Sequence, residues 1–256
     1  MSLPVSTKWD RIDYSFRAED GSDGYTEGSR LFSDAEFHIT GEAFIQFPNV
    51  VIDDGFVYVN ALAAERTSAV EEVSSVVISS EISGGIPENY TLEFDIYLQD
   101  SALPKSFNDV DNRLYVGAIN AQGSSAGFLF SYDGIALATH PKDPAPSMLA
   151  GGKDLLFNSD GSVNPAGVFI RAVVNGEDNR VYVYAASSDQ AYLPESPEQT
   201  EAELMWSLAA REAPAQYSDS VIFHASAKSA AQQLFDNPSM GAAEGQDSAF
   251  ALGSFR

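Results

Sequence analysis

The strongest alternation of residue types along the chain lies at 168–185. Two runs rich in β-branched and aromatic residues, V-F-I-R-A-V-V and R-V-Y-V-Y-A-A, flank a five-residue stretch that contains Asn175 and Gly176. Asparagine followed by glycine between two such runs is typical of a β-hairpin, because both residues tolerate the positive φ angles of tight hairpin turns. The pattern therefore predicts two antiparallel strands joined by a turn.

Both faces of this predicted hairpin are apolar. Side chains alternate along a strand with a period of two, so Val168, Ile170 and Val174 share one face while Phe169 and Val173 share the other. An apolar face must be covered by another layer. A two-layer antiparallel sandwich is the simplest architecture that covers such a hairpin.

The rest of the chain shows short apolar runs between turn residues, with the cleanest alternation at 90–98 (Y-T-L-E-F-D-I-Y-L). The segment 61–73 could be a helix, and 201–212 is either a short helix or the start of a strand. The further runs that predict strands are 37–39, 43–47, 50–52, 56–60, 76–80, 114–119, 128–132, 135–138, 220–225 and 249–255. We expect an all-β fold with at most short helices.

No internal repeat and no break in composition divides the chain. Residues 1–30 are polar and rich in glycine, which is typical of an arm or extension. Residues 31–256 then form one sandwich domain, a plausible size for a single all-β domain. The arm cannot bury enough apolar surface to offset its own ordering entropy, which favours contact with neighbouring subunits.

The charge of the chain excludes several classes of partner. Its 37 acidic and 14 basic residues give a formal net charge of −23, which repels phosphate backbones and anionic lipid, so we expect no nucleic-acid and no membrane partner. The chain has no cysteine, which excludes disulfides and thiolate chemistry. Its first ten residues lack the pattern of a signal peptide, so a cytoplasmic location is expected unless the protein is part of a virion.

The order of these elements resembles the concanavalin A-like, laminin-G-like jelly roll. The resemblance covers roughly residues 30–256, and it rests on T-L-E-F-D-I-Y-L, L-Y-V-G-A-I, G-F-L-F-S-Y-D-G-I-A-L, the hairpin and the final F-A-L-G-S-F-R. Two positions depart from the family pattern: Phe169 stands where a tryptophan is often found, and Ala185-Ala186 replaces an aspartate-glycine pair. The resemblance implies a jelly-roll β-sandwich, a fold that carries enzymes, lectins and structural modules alike.

The sequence offers no complete catalytic set. Laminarinase-type β-glucanases of this fold carry E-x-D followed by a second glutamate, and Glu93-Phe94-Asp95 supplies only the first part. Retaining hydrolysis needs two carboxyl groups about 5 to 5.5 Å apart. We interpret Glu93 and Asp95 as carboxylates on the solvent face of their strand. The histidines, His38, His140 and His224, accompany no G-x-S-x-G motif, so we expect no enzyme.

Calcium is the one cofactor for which the acidic loops offer candidate ligands. Calcium takes six to eight oxygen ligands from carboxylates, carbonyls and waters. The candidate ligands are Asp109 and Asp111 in one loop, and Asn158, Asp160 and Asn164 in another, which resembles half of an EF-hand loop without its final glutamate. With so many acidic residues, such clusters also arise by chance.

Tyrosines near the hairpin are candidates for carbohydrate binding. Tyr182, Tyr184 and Tyr192 could present rings on which a sugar stacks. The alternative is that they pack in the second layer of the sandwich or against a neighbouring subunit.

Together these observations favour a non-enzymatic protein that acts through contacts with other protein subunits, as a homo-oligomer or in a large assembly. Jelly rolls of this kind recur in virus particles. The resemblance therefore implies a virion accessory protein of a bacteriophage, such as a capsid decoration or tail-associated protein. The alternative is a lectin-like module that binds a glycan, with or without calcium.

Overall fold

A computed structural model of the chain describes residues 14–15, 38–40, 49–53, 56–60, 74–81, 85–98, 100, 103–110, 112–188, 204–227 and 250–255. The strands are β1 (Tyr14–Ser15), β2 (His38–Thr40), β3 (Asn49–Asp53), β4 (Phe56–Asn60), β5 (Ser74–Glu81), β6 (Tyr90–Leu98), β7 (Arg113–Ile119), β8 (Ser125–Ser131), β9 (Gly134–Ala138), β10 (Ser147–Met148), β11 (Val168–Asn175), β12 (Arg180–Ser187), β13 (Leu204–Ala209), β14 (Ser220–Ala227) and β15 (Phe250–Phe255). Helical structure in these ranges includes α1 (Gly152–Leu156) and a 3-10 turn at Ala215–Tyr217.

The strands form two antiparallel sheets. The first sheet has the order β13-β12-β11-β6-β15-β4-β3, with β1 paired to β15. The second has the order β10-β9-β8-β7-β14-β5-β2. Some neighbouring strands are consecutive in sequence, whereas others are far apart, as for β11 beside β6 and β14 beside β7. The chain therefore crosses repeatedly between the layers. The predicted all-β, two-layer antiparallel class is confirmed.

The main core lies between the two sheets. The ring of Phe94 on β6 meets Phe128 and Phe130 on β8, with ring centroids 5.8 and 6.5 Å apart. Tilted and edge-on aromatic contacts of this kind add to the free energy gained by burying the rings. The other fully buried aliphatic side chains of this core include Ile96, Val116, Ile135, Ile170, Val174, Val181 and Val183. The inner face predicted for the hairpin at 168–185 is therefore the face that packs on the second sheet.

The hairpin itself is formed by β11 and β12. Val174 pairs with Val181 and Asn175 with Arg180, so the connecting turn is the four residues 176–179, one fewer than the sequence suggested. Asn179 has a φ of 55°, a left-handed conformation that asparagine tolerates better than most residues. The turn therefore lies where the sequence predicts it, but its left-handed residue is Asn179 rather than Asn175 or Gly176.

A smaller apolar cluster covers the outer face of the second sheet. Phe107, Tyr115, Leu129 and Ile222 are buried there, under the loops that precede β7 and β14. Gly127 lies directly beneath the Tyr115 ring, and a Cβ atom at this position would overlap the ring. The second sheet therefore buries apolar side chains on both of its faces.

Most predicted strands lie in the described ranges and are confirmed within a few residues. The segment 201–212, left open between helix and strand, contains the strand β13. The predicted strand at 43–47 and the segment 61–73, whose helical character the sequence leaves open, lie outside the described residues. The division into an arm at 1–30 and a domain at 31–256 stays a prediction, although β1, within that arm, pairs with β15.

Candidate functional site

Two carboxylates on the outer face of the first sheet are buried. Glu93 is 2% exposed and Asp95 is 3% exposed, so their interpretation as solvent-facing carboxylates is wrong. The pairing of β6 with β11 sets Glu93 opposite Arg171, which is fully buried. Arg171 donates from Nε to Glu93 Oε1. Burial lowers the pKa of Arg171, and the charge of Glu93 opposes that shift. Glu93 is therefore engaged in a buried ion pair rather than displayed to a substrate.

Tyr182 and Tyr184 lie on this same outer face and are half-exposed. The Tyr182 hydroxyl donates to Asp178 Oδ2 at 2.6 Å, and this hydrogen bond raises the pKa of Tyr182. Arg180, at the start of the same strand, donates from Nε to Oγ of Ser207 on the adjoining strand β13 at 2.6 Å and from Nη2 to the Ser207 carbonyl at 2.7 Å. We call these five residues the tyrosine patch.

Only some residues of the tyrosine patch can be predicted from the sequence. The place of Tyr182 and Tyr184 on the hairpin makes them candidates in the sequence, and the third candidate, Tyr192, lies outside the described residues. Sequence reasoning missed Asp178, Arg180 and Ser207. Asp178 could have been found, because it sits in the predicted turn four residues before Tyr182. Ser207 could not, since only the pairing of β12 with β13 brings it opposite Tyr182.

The candidate calcium loop at 158–164 uses its polar side chains in its own turns. Asp160 Oδ1 accepts from Ser162 N at 2.9 Å and from Ser162 Oγ at 2.6 Å, and these hydrogen bonds lower the pKa of Asp160. Asn158 Nδ2 donates to the same Ser162 hydroxyl at 3.0 Å. Asn164 instead donates to Ser187 Oγ at 3.2 Å. The structure brings Asn158 and Asp160 to one turn and directs Asn164 elsewhere.

The second candidate calcium loop is separate from the first. Asp109 accepts hydrogen bonds from the backbone N–H of Asn112 at 3.3 Å and from its Nδ2 at 2.5 Å. Asp111 lies outside the described residues. Within the described part of the chain, no three acidic or histidine side chains converge in a way that could hold a metal ion. Calcium binding therefore stays a prediction.

A buried polar cluster that the sequence did not reveal lies against the second sheet. Asp143 is fully buried and accepts hydrogen bonds from Thr139 N at 2.8 Å, Thr139 Oγ1 at 2.9 Å and Ala145 N at 2.9 Å. Arg211 Nη1 lies 3.0 Å from Asp143 Oδ2. Burial alone would raise the pKa of Asp143, but these hydrogen bonds hold it below its usual value. Because Arg211 follows β13, this ion pair ties the first sheet to the loop after β9.

The structure describes the side chains of two of the three histidines, His140 and His224. His224, on β14, is 2% exposed, and burial lowers its pKa to about 3. His140 stacks on Tyr217 with ring centroids 5.2 Å apart, and burial lowers its pKa as well. Both histidines thus stay neutral near pH 7. The backbone of His38 lies in β2, and its side chain is outside the described part of the structure.

No family model matches the chain, and no curated protein matches it. Among solved structures it is similar to lectin II from Ulex europaeus, with 8% identity and a TM-score of 0.43 over 87% of this chain and 92% of that chain. It is also similar to peanut lectin bound to a 9-residue peptide, with 9% identity and a TM-score of 0.42 over 99% and 96%.

A third similar structure is arcelin-5, a lectin-like defense protein from Phaseolus vulgaris, with 10% identity and a TM-score of 0.40 over 87% of this chain and 92% of that one. At these TM-scores the likeness is distant, and the fold assignment rests on the two sheets themselves.

In the described part of the chain, no helix has both the length and the apolar character needed to cross a bilayer.

Proposed function

We propose that this chain is a non-catalytic binding module that takes a neutral carbohydrate at the tyrosine patch. The observation that carries the proposal is the half-exposed Tyr182, whose ring is bordered by the Asp178 carboxylate, the Arg180 guanidinium and the Ser207 hydroxyl. Sugars present an apolar C–H face beside a rim of hydroxyl groups. An aromatic ring flanked by hydrogen-bonding groups matches both features.

The chemistry of the patch indicates which sugars fit. Asp178 is an acceptor for sugar hydroxyls, while Arg180 and Ser207 offer donors. The net charge of −23 disfavours sulfated, phosphorylated or sialylated glycans, because like charges repel. A neutral oligosaccharide is therefore the expected ligand class.

The burial of Glu93 and its ion pair with Arg171 support a binding module without catalysis. Hydrolysis by paired carboxylates requires one of them to reach the anomeric carbon or its leaving group. Glu93 is buried and paired with Arg171, and the tyrosine patch contains Asp178 as its single carboxylate. We expect binding without turnover.

The test is a screen of the full chain against an array of immobilised neutral oligosaccharides, followed by calorimetry with the best binder. Tyr182→Ala should reduce the affinity at least tenfold, because stacking area and the Asp178 contact are both lost. Tyr217→Ala is the matched control, since it removes a half-buried aromatic ring that stacks on His140 in the loops beside the second sheet, away from the tyrosine patch. Equal affinities for wild type and Tyr182→Ala would contradict the proposal.

Repeating the calorimetry with a chelator distinguishes calcium-assisted carbohydrate binding from binding by the tyrosine patch alone. If calcium assists binding, a chelator should abolish it and added calcium should restore it. If the tyrosine patch suffices alone, the chelator should leave the affinity unchanged.

Assembly with other protein subunits is a second candidate function, favoured by the position of β13. Among the described strands, β13 lies at one edge of the first sheet. An edge strand offers backbone N–H and C=O groups to which another chain can pair. The oligomeric state should be measured by light scattering with and without residues 1–30. A strict monomer at high concentration in both forms would count against this function, and the virion context stays a prediction.

A further inference from the structure

We propose that Asn175 is a site of spontaneous deamidation. The rate of this reaction is set by the hydrogen bond that the N–H of the next residue, Gly176, donates to Asn89. This inference is independent of the proposed carbohydrate binding. Asn175 is the only asparagine in the sequence that is followed by glycine. It is half-buried at the end of β11, where the hairpin begins its turn.

The reaction needs no group beyond the chain and water. The backbone nitrogen of Gly176 attacks Cγ of Asn175, a new N–Cγ bond closes a five-membered succinimide, and the Cγ–Nδ2 bond breaks. The amide nitrogen leaves as ammonia and carries away the proton from Gly176. Water then opens the ring at Cγ to give aspartate, or at the backbone carbonyl carbon to give isoaspartate.

The packing around Gly176 explains why a glycine follows Asn175. The Glu88 side chain lies so close to Gly176 that a Cβ atom at this position would overlap it. Any larger residue would have to displace Glu88, so the close approach favours glycine. Glycine is also the residue that hinders the attacking nitrogen least, because it has no side chain.

One hydrogen bond in the turn favours the attack. The backbone N–H of Glu177 donates to Asn175 Oδ1 at 3.0 Å. This contact polarises the side-chain carbonyl and stabilises the negative charge that develops on Oδ1 as the nitrogen adds, as an oxyanion-hole donor does.

A second hydrogen bond opposes the attack. The N–H of Gly176 donates to Asn89 Oδ1 at 2.7 Å. Attack requires the nitrogen to lose this proton and to turn toward Asn175, and an amide nitrogen without its proton would face the lone pairs of Asn89. We therefore assign Asn89, in the loop before β6, as a positioning residue that slows the reaction.

The product would change the hairpin that carries the tyrosine patch. Aspartate at this position adds a negative charge beside Glu88 and Glu177. Isoaspartate reroutes the backbone through the side-chain carbon, which breaks the pairing of Asn175 with Arg180. Arg180 belongs to the tyrosine patch, so the modification would act there.

The test compares wild type, Asn89→Ala and Asn89→Asp after incubation in mildly alkaline buffer, with peptide mass spectrometry to quantify aspartate and isoaspartate at each asparagine. Asn158, followed by Ser159 in an exposed loop, is the internal reference. Asn89→Ala should accelerate deamidation at Asn175 several-fold and leave Asn158 unchanged. Asn89→Asp keeps an acceptor oxygen and should restore the slow rate.

A measurement on the wild type alone covers the case in which Asn89→Ala disturbs the hairpin. Asn175 should react several-fold more slowly in the native chain than in the same chain unfolded in urea. Equal rates in the native and unfolded chains would overturn the proposal. So would a folded Asn89→Ala variant that reacts no faster than wild type.

Discussion

At the scale of single residues, His224 is a buried base among positive charges. It lies on the outer face of the second sheet, opposite Tyr115 on β7. Burial is the main cause of its low pKa, and the charges of Lys142 and Arg113 lower it further. Nδ1 of His224 has no hydrogen-bond partner within the part of the chain that the structure describes. Protonation of this side chain is therefore strongly unfavourable in the folded state.

This burial predicts a loss of stability in mild acid. In the unfolded chain the histidine pKa is about 6.5, whereas in the folded chain that of His224 is about 3. As the pH falls below 6.5, the unfolded chain takes up a proton that the folded chain refuses, so the free energy of unfolding drops by up to about 1.4 kcal/mol per pH unit. The contribution is complete above pH 6.5 and is lost as the pH falls toward 3.

Urea unfolding at pH 7 and at pH 5 measures this effect. His224→Leu should show a clearly weaker pH dependence over that interval, because it removes the group that titrates. His140→Gln is the matched control and should retain most of the dependence. If His224→Leu loses stability between the two pH values as steeply as wild type, His224 is not the cause.

The sequence predicts the face of the strand on which Glu93 lies, but not its burial. Alternation along 90–98 correctly placed Glu93 and Asp95 on one face, opposite the core-facing Phe94. It could not show that both carboxylates are buried on this face. It also could not show that β11 brings a buried arginine opposite Glu93.

At the scale of elements, β7 and β8 approach each other through a pair of glycines. Gly117 lies directly opposite Gly127, and the Tyr115 ring occupies the space above them. A glycine within a strand often marks such a close approach, at some cost in strand propensity. Here the two glycines make room for the largest side chain of the smaller core.

Gly127→Ala should therefore destabilise the protein by overpacking, by about 1–3 kcal/mol. In a Tyr115→Ala background the same substitution should cost much less, because the ring that the new methyl group meets is gone. The four variants form a double-mutant cycle in which thermal or urea unfolding gives the coupling free energy. Strictly additive effects would show that the ring and the glycine do not constrain each other.

The elements themselves could be predicted where the local signal was strong. The hairpin and β6 follow from regular alternation and turn residues, whereas β13 was ambiguous because its segment mixes glutamate, leucine and alanine with tryptophan. β8 begins at Ser125, three residues before the predicted start, since S-A-G has little strand propensity and is extended by pairing with β7. Pairing between distant strands supplied what local sequence could not.

At the scale of the whole molecule, the dominant property is its negative charge. Thirty-seven acidic residues face only 14 basic ones. Among the described residues, burial removes two arginines, Arg113 and Arg171, and a similar number of carboxylates from the surface, so the surface keeps this excess of negative charge. Like charges on a compact surface repel one another, and unfolding relieves that repulsion. Salt screens it, since the Debye length falls from about 30 Å at 0.01 M to about 10 Å at 0.1 M.

We therefore expect the melting temperature to rise as sodium chloride is increased over that range, in contrast to a protein held together by surface ion pairs, which the same salt would weaken. Potassium chloride should act equally, because screening depends on ionic strength. Calcium chloride at matched ionic strength is the informative control: a further rise that a chelator reverses would indicate a calcium site and support the prediction made from the acidic loops. A melting temperature that stays constant or falls with sodium chloride would mean that repulsion does not limit the stability of this fold.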